Sequence, residues 1–278
     1  MLVLPAPAKI NLFLHVTGRR ADGYHELQTV FQLLDVADTV TIESAETLTV
    51  SCEGIDVPQE QNLVYRAARM LQVATGYDQG AHITIEKRIP SGGGLGGGSS
   101  DAATALHGLN RLWSLGLSTA ELAELGLQLG ADVPVFVRGH SAWAEGVGEV
   151  LTPVSLPPSD YVIVNPGVHV PTPVVFTDPL LSRDTPTCTL AEFEGHTSGL
   201  FGRNDLEPVA ARRFPEIQEV IDWLQAWGSP RMSGSGASVF LPVAGKAEGD
   251  GILTGLRSGW TGFFASGTDA SVLLSALT

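Results

Sequence analysis

Between Ala8 and Val16 the chain alternates in polarity. Ile10, Leu12 and Leu14 fall on one face and Lys9, Asn11 and Phe13 on the other, the two-residue period of a half-buried strand. Residues 18–25 (Gly-Arg-Arg-Ala-Asp-Gly-Tyr-His) are rich in turn formers. Residues 26–34, 39–44 and 47–52 read as three further strands. From residue 62 to 75 the period becomes helical, with Val64, Ala67, Ala68 and Leu71 on the inward side. A strand at 83–85 precedes a glycine cluster, and behind that cluster Ala102, Leu106, Leu109 and Trp113 share one helical face. Ser118-Thr-Ala-Glu is a capping box, and the helix it opens ends at Gly130 as the C′ residue. Pro134 argues against a helix through residues 131–139, so they read as a strand entered through a connector that holds Asp132. A pair of strands at 141–152, a strand from Tyr161 and a helix at 215–227 follow; the turn at 233–237 then leads into an apolar strand. Strands mixed with helices, without a strict βαβ repeat, predict an α+β fold. The Pro- and Ser-rich stretch 153–159 is the best boundary, giving domains 1–152 and 153–278.

Charge and composition narrow the function. The net charge is −14, and no local basic stripe offsets it, so nucleic acid is not an expected partner. No apolar run reaches the ~18 residues of a membrane helix, and the N-terminus lacks the pattern of a signal peptide. A cytoplasmic protein, monomer or homodimer, acting on small molecules is expected. Cys52 and Cys188 are too few for a disulfide framework and read as two buried free thiols. The seven histidines show no metal-ligand spacing. Only three of the sixteen basic residues are lysine (Lys9, Lys87 and Lys246), so a lysine inside an apolar strand stands out. The plain alternative for Lys9 is a lysine whose stem lies on the sheet and whose head reaches water.

Six of the seven residues from Gly92 to Gly98 are glycine, followed by Ser99 and Ser100 as N-cap candidates. Glycine lets backbone N–H groups approach a ligand closely. A helix N-terminus adds unpaired donors and partial positive charge, so the pair makes a phosphate site. The framing by strand and helix argues against a flexible linker. The Walker pattern is absent because no lysine follows the glycines. Gly92, Gly94 and Gly97 match G-x-G-x-x-G, a cheap match in such a run, and no strand bearing an acidic residue lies ~20 positions on, as a dinucleotide site would need. Asp132 taken alone reads more readily as a turn residue bonded to the backbone than as a reactive carboxylate.

Three segments coincide: Ala6-Pro-Ala-Lys-Ile-Asn-Leu, residues 90–103, and Ser233-Gly-Ser-Gly-Ala. Together they resemble the GHMP kinases, the family of galactokinase, homoserine kinase and mevalonate kinase. Arg20-Ala-Asp-Gly-Tyr-His-Glu-Leu, Leu129-Gly-Ala-Asp-Val-Pro-Val-Phe and Glu145-Gly-Val-Gly-Glu extend the likeness over essentially the whole chain. They resemble most a branch of the family acting on a cytidine diphosphate-linked polyol. The resemblance implies a GHMP kinase fold, with a ribosomal-protein-S5-like N-terminal domain and a ferredoxin-like C-terminal domain. It implies ATP-dependent phosphorylation of an alcohol, with ATP as co-substrate and Mg2+ expected.

The same resemblance implies roles. Pro90, Ser91, Gly92, Gly93, Gly94, Leu95, Gly96, Gly97, Gly98, Ser99 and Ser100 would wrap the ATP phosphates, with Ser99 or Ser100 as oxygen ligands of ATP-bound Mg2+. Asn62 and Lys87 would lie near the adenine. Asp132 would be the base for the alcohol and Lys9 its neighbour, with Asn11 hydrogen-bonding the substrate. Tyr24 and His25 would hold the cytosine, with Phe176 and Pro173 as the second wall and Thr172 near the polyol. Residues 233–237 would either close over the phosphates or form a plain turn. Asp101 reads as a first-turn residue favoured by the helix dipole. A scaffold that only senses its ligand would be expected to lose Lys9 or Asp132, and this chain keeps both.

Overall fold

One strand organises the molecule. In the computed structural model, which describes residues 1–52, 57–197 and 199–277, β1 (Leu2–Arg19) and β2 (His25–Ala45) form a long antiparallel hairpin. Around them stand β3 (Thr49–Cys52), α1 (Leu63–Thr75), β4 (Gly80–Glu86), α2 (Gly97–Leu112), α3 (Thr119–Leu127), α4 (Val133–Arg138), β5 (Ala142–Glu145) and β6 (Val150–Pro153). The remainder comprises β7 (Asp160–Asn165), α5 (Thr172–Phe176), α6 (Leu190–Glu194), α7 (Glu207–Arg213), α8 (Pro215–Leu224), β8 (Arg231–Met232), β9 (Val239–Val243), α9 (Lys246–Leu253), β10 (Thr261–Thr268) and α10 (Val272–Leu277). β2 pairs with β1, β4, β5 and β10, and the sheet runs on from β10 through β7 and β9 to β8. The expected mixture of strands and helices is what forms.

Among the described residues no helix is long and apolar enough to cross a membrane.

Several local expectations are corrected. Residues 26–34 and 39–44 are not separate strands but one, β2. Asp35 and Asp38 lie between them, a residue type that strands ordinarily avoid. Asp38 is nonetheless buried, because its carboxylate accepts the backbone N–H groups of Arg88 (2.6 Å) and Ile89 (2.8 Å) and pairs with Lys87. Residues 131–139 contain helix α4, not a strand; Pro134 sits in its first turn, where its missing N–H is not needed. The helix from Ser118 keeps its capping box but ends at Leu127, short of Gly130, and the helix from Pro215 stops at Leu224. The N-cap of α2 is Gly96, at φ 72°, so Ser99 and Ser100 lie inside the helix. Both cysteines are free but half-buried rather than buried, and burial pushes each thiol pKa up.

The correction that matters most to function lies in β1. Asn11 pairs with Phe31, yet Leu14 pairs with Thr29, so β1 advances three residues while β2 advances two. This bulge inverts the side-chain alternation beyond it. Leu14, expected opposite Lys9 and Asn11, lines the same cavity as they do. Phe13 instead packs with Val30, Trp143 and Val154.

Burial falls into two large cores. One lies between β2, β4 and helices α1 to α4, with Ile42, Leu71, Ile83, Leu106 and Phe136 at its centre. The other joins β7 and β9 to α7, α8 and α9 through Val162, Val164, Leu206, Val220 and Leu241. A smaller cluster of Ile10, Leu34, Ile89, Leu95, Ile163 and Phe240 links them beneath the glycine segment.

Candidate active site

Lys9 is 2% exposed, and its ammonium is saturated. Nζ donates to Asn11 Oδ1 (2.7 Å) and Gly94 O (3.1 Å) and stands 3.3 Å from Asp132 Oδ2. An ammonium has three protons and here has three acceptors. Asn11 is fixed in turn, because its Nδ2 donates to Thr29 Oγ1 at 2.9 Å. Asp132 is the N-cap residue of α4, yet its side chain makes no capping hydrogen bond. The carboxylate is left for Lys9 and the cavity, with its side chain 35% exposed.

Opposite this pair stands the glycine segment. Gly92, Gly94 and Gly96 all take left-handed φ angles (65°, 75° and 72°), which glycine adopts without a steric cost. Helix α2 begins with Gly97, and its first main-chain bond runs from Ser100 N to Gly96 O. The N–H groups of Gly97, Gly98 and Ser99 therefore have no acceptor within the helix and sit at its positive end. The turn 233–236 packs on the segment from the second half of the chain. Ser233 Oγ donates to Gly94 O (2.9 Å) and accepts from Asn11 N (3.1 Å), tying glycine segment and first strand together. Asn204 Nδ2 holds that turn through the carbonyls of Met232 and Gly234, both at 2.8 Å.

These parts enclose one cavity of about 1070 Å³. Lys9, Asn11 and Asp132 line it, as do Pro90, Ser91, Gly92, Gly93, Gly94, Gly96, Gly97, Gly98 and Ser99. Tyr24, His25, Thr172, Pro173 and Phe176 line it as well. The His25 and Phe176 rings lie 5.2 Å apart at 32°, and Tyr24 is 66% exposed. Burial, then the charges of Arg183 and Arg19, lower the His25 pKa, so its ring is neutral near pH 7. Thr172 and Ser235 share a hydroxyl hydrogen bond (2.9 Å) between the turn and the start of α5.

Four residues expected at the nucleotide do not line the cavity. Asn62 caps α1, accepting from Val64 N at 2.9 Å. Leu95 is buried below the loop, its carbonyl accepting from Lys9 N. The Ser100 hydroxyl is fully buried, with no hydrogen-bond partner among the described residues. Lys87 lies directly under the loop, where a Cβ on Gly97 would stand 3.2 Å from its Nζ, and is held between Asp38 and Asp101 (2.7 Å to the latter). Asp101 thus owes its place to Lys87 rather than to the helix dipole alone. Its burial, against the pull of Lys87, pushes its pKa up to about 7.

Sequence reasoning missed Thr29, Asn204 and two cavity-lining residues, His169 and Arg183. Thr29, Asn204 and Arg183 act through partners remote in the chain, and His169 meets the glycine segment only in the folded chain, where a Cβ on Gly92 would lie 2.3 Å from its Nδ1, so no local motif announces them. Among the described residues no group of three or more His, Cys, Asp or Glu side chains could hold a metal ion.

Comparison with known proteins points to a family. Residues 62–140 match the family model for the GHMP kinases N terminal domain, and residues 194–261 match that for GHMP kinases C terminal. A 4-diphosphocytidyl-2-C-methyl-D-erythritol kinase of Alcanivorax borkumensis is 54% identical, covering 98% of this chain and 92% of that protein. The enzyme of the same name from Xanthomonas axonopodis pv. citri is also 54% identical, over the same shares. Among solved structures, a 4-(cytidine 5'-diphospho)-2C-methyl-D-erythritol kinase superposes with TM-score 0.81 at 38% identity, covering 96% of this chain and 99% of that one. A homoserine kinase from Cytophaga hutchinsonii shares the fold at TM-score 0.67 and 16% identity, covering 97% and 94%.

Proposed function

This chain belongs to the GHMP kinase family, and from that premise we propose that it transfers the γ-phosphoryl group of ATP to the 2-hydroxyl of 4-diphosphocytidyl-2-C-methyl-D-erythritol, in the non-mevalonate route to isoprenoid precursors. One observation carries the reading. A Lys9–Asp132 pair at 3.3 Å and an open helix N-terminus share one cavity with the His25–Phe176 ring pair.

The reaction needs an oriented alcohol, a base and an electrostatic cradle. Asp132 takes the hydroxyl proton as the alcohol oxygen bonds to the γ-phosphorus; the bond from that phosphorus to the β–γ bridging oxygen breaks, and ADP leaves. A positioned base of this kind typically contributes ~10²–10⁴-fold. The Lys9 ammonium, 3.3 Å from the carboxylate, holds it in place, and its charge faces that which develops on the transferred group. The N–H groups of Gly97, Gly98 and Ser99 and the dipole of α2 cradle the phosphates without a loop lysine. Asn11 orients the alcohol, while Tyr24, His25 and Phe176 hold the cytosine at the other end of the substrate. Of the two serines, Ser99 lines the cavity while the Ser100 hydroxyl is sealed from it. Ser99 would therefore meet a magnesium ion carried in by ATP, whose charge would offset that of the phosphates. In this reading residues 1–152 bind ATP, residues 153–278 close over the substrate, and the protein works in the cytoplasm.

The test is to incubate purified protein with ATP, magnesium and the diphosphocytidyl substrate and to measure ADP and phosphorylated product. Absence of turnover there, with robust turnover on homoserine or mevalonate, rejects the reading.

A further inference from the structure

Arg183 enters the cavity from the segment that follows α5, and four of its five N–H donors are committed. Three go to main-chain carbonyls: Phe176 O (3.0 Å), Asp178 O (2.7 Å) and Leu181 O (3.0 Å). These carbonyls belong to the stretch that carries the Phe176 ring. The fourth, Nε–H, donates to His25 Nε2 at 2.9 Å. One guanidinium therefore fixes both the aromatic wall and the histidine beside it.

The contact with His25 has a chemical consequence. A guanidinium offers only donors and does not lose its proton in proteins. The nitrogen facing it must present a lone pair. A neutral imidazole that accepts at Nε2 carries its proton on Nδ1. His25 is 8% exposed, and among the described residues its Nδ1 has no protein partner. The ring's one uncommitted group is therefore an N–H donor beside the base wall.

We propose that Arg183 is a specificity-determining positioning residue, which holds His25 as an Nδ1–H donor and so makes the pocket select cytosine over uracil. The inference rests on the cytidine reading above. Cytosine presents acceptors at its ring N3 and at O2, which match a donor. Uracil carries a proton on N3, so a fixed donor meets another donor and both are left unpaired. A site built around such a hydrogen bond discriminates far better than one built on shape alone. Without Arg183 the imidazole could exchange tautomers, accept from uracil N3–H, and accommodate either base.

The experiment measures binding of cytidine 5′-diphosphate and uridine 5′-diphosphate to the full chain and to Arg183→Met by calorimetry. Wild type is expected to prefer cytidine by ~10-fold or more, the scale of one unpaired donor, and the variant to bind both bases about equally. A purely structural role would weaken both nucleotides alike and preserve the ratio. Equal binding in wild type, or an unchanged preference in the variant, overturns the proposal. Should Arg183→Met not fold, the ring ¹⁵N shifts of His25 in the wild-type chain decide, assigned by comparison with His25→Gln. A protonated Nδ1 with a bare Nε2 supports the assignment, and a protonated Nε2 or an imidazolium at neutral pH overturns it. Neither readout requires turnover. A protein that prefers cytidine but fails to phosphorylate the cytidine-linked substrate would sink the proposed function and leave the Arg183 assignment standing.

Discussion

Replacing Gly94 by alanine tests the central geometry, because three parts of the site meet at that residue. Its carbonyl accepts from Lys9 Nζ and from Ser233 Oγ. Its φ is +75°, and an added Cβ would lie 2.1 Å from Ser233 O and 3.1 Å from Gly236 O. The left-handed conformation alone costs an alanine ~1–2 kcal/mol. The steric conflict is larger. Ordinary contact starts at 3.4 Å, so the glycine segment and the 233–236 turn must separate by more than 1 Å, backbone against backbone. That movement carries off the acceptor of Lys9 and breaks the Ser233 tie. A displacement of ~1 Å at a reacting centre costs on the order of 10²-fold, so Gly94→Ala should lower kcat/KM by ~10²-fold or more in a coupled ADP-release assay. Its melting temperature should fall by ~2–4 °C for each kcal/mol of strain. The matched control is Gly251→Ala in α9, at an exposed position with no atom within 4 Å of the new Cβ. There alanine should stabilise by ~0.5–1 kcal/mol and leave turnover intact. Near-wild-type kcat/KM in Gly94→Ala would refute the claim that the close approach of the two turns shapes the site.

Asp132→Asn should lose ~10²–10⁴ of turnover while calorimetric ATP affinity stays close to wild type; full activity would remove Asp132 from the mechanism. The buried Asp178 carboxylate accepts from Leu180 N and binds Arg212 and Arg213, and these bonds, that of Leu180 foremost, hold its pKa well below the usual range. Its stabilisation is therefore present above the unfolded value of ~3.9 and drains away as pH falls below it. Asp178→Asn should flatten the acid limb of urea midpoint against pH, and an unchanged limb would contradict this. Asp101 behaves oppositely, since its pKa is raised to about 7, chiefly by burial. Its favourable contribution is complete below ~3.9 and is lost as pH climbs toward 7. Melting curves from about pH 4 to pH 8 should show that decline in wild type and not in Asp101→Asn; an identical decline in the variant would rule out Asp101 as its source.

Much of the site could be read along the chain because its parts are local. The glycine cluster ahead of a periodic helix, the capping box at Ser118 and the inward stripe of α1 depend on neighbours within a few residues. Local spacing also made Lys9 conspicuous. What escaped was long-range. Residues 26–34 and 39–44 read as two strands, yet one strand runs through Asp38, which is satisfied by N–H groups and an ammonium some fifty positions on. Leu14 and Phe13 were assigned to the wrong sides because a bulge becomes visible only against the partner strand. Arg183 carries no motif, and its meaning comes from His25, 158 positions away.

Residue order alone thus marked most of the strands and helices, where an anion can be cradled, and that a lysine stands in the first strand. Only the folded chain decided which carboxylate meets that lysine, which serine reaches the cavity, and which nitrogen of His25 carries the proton. The division is physical. Periodicity and capping act over one or two turns of backbone, whereas pairing, burial and tautomer are set by atoms that the chain brings together only when it closes its sheet.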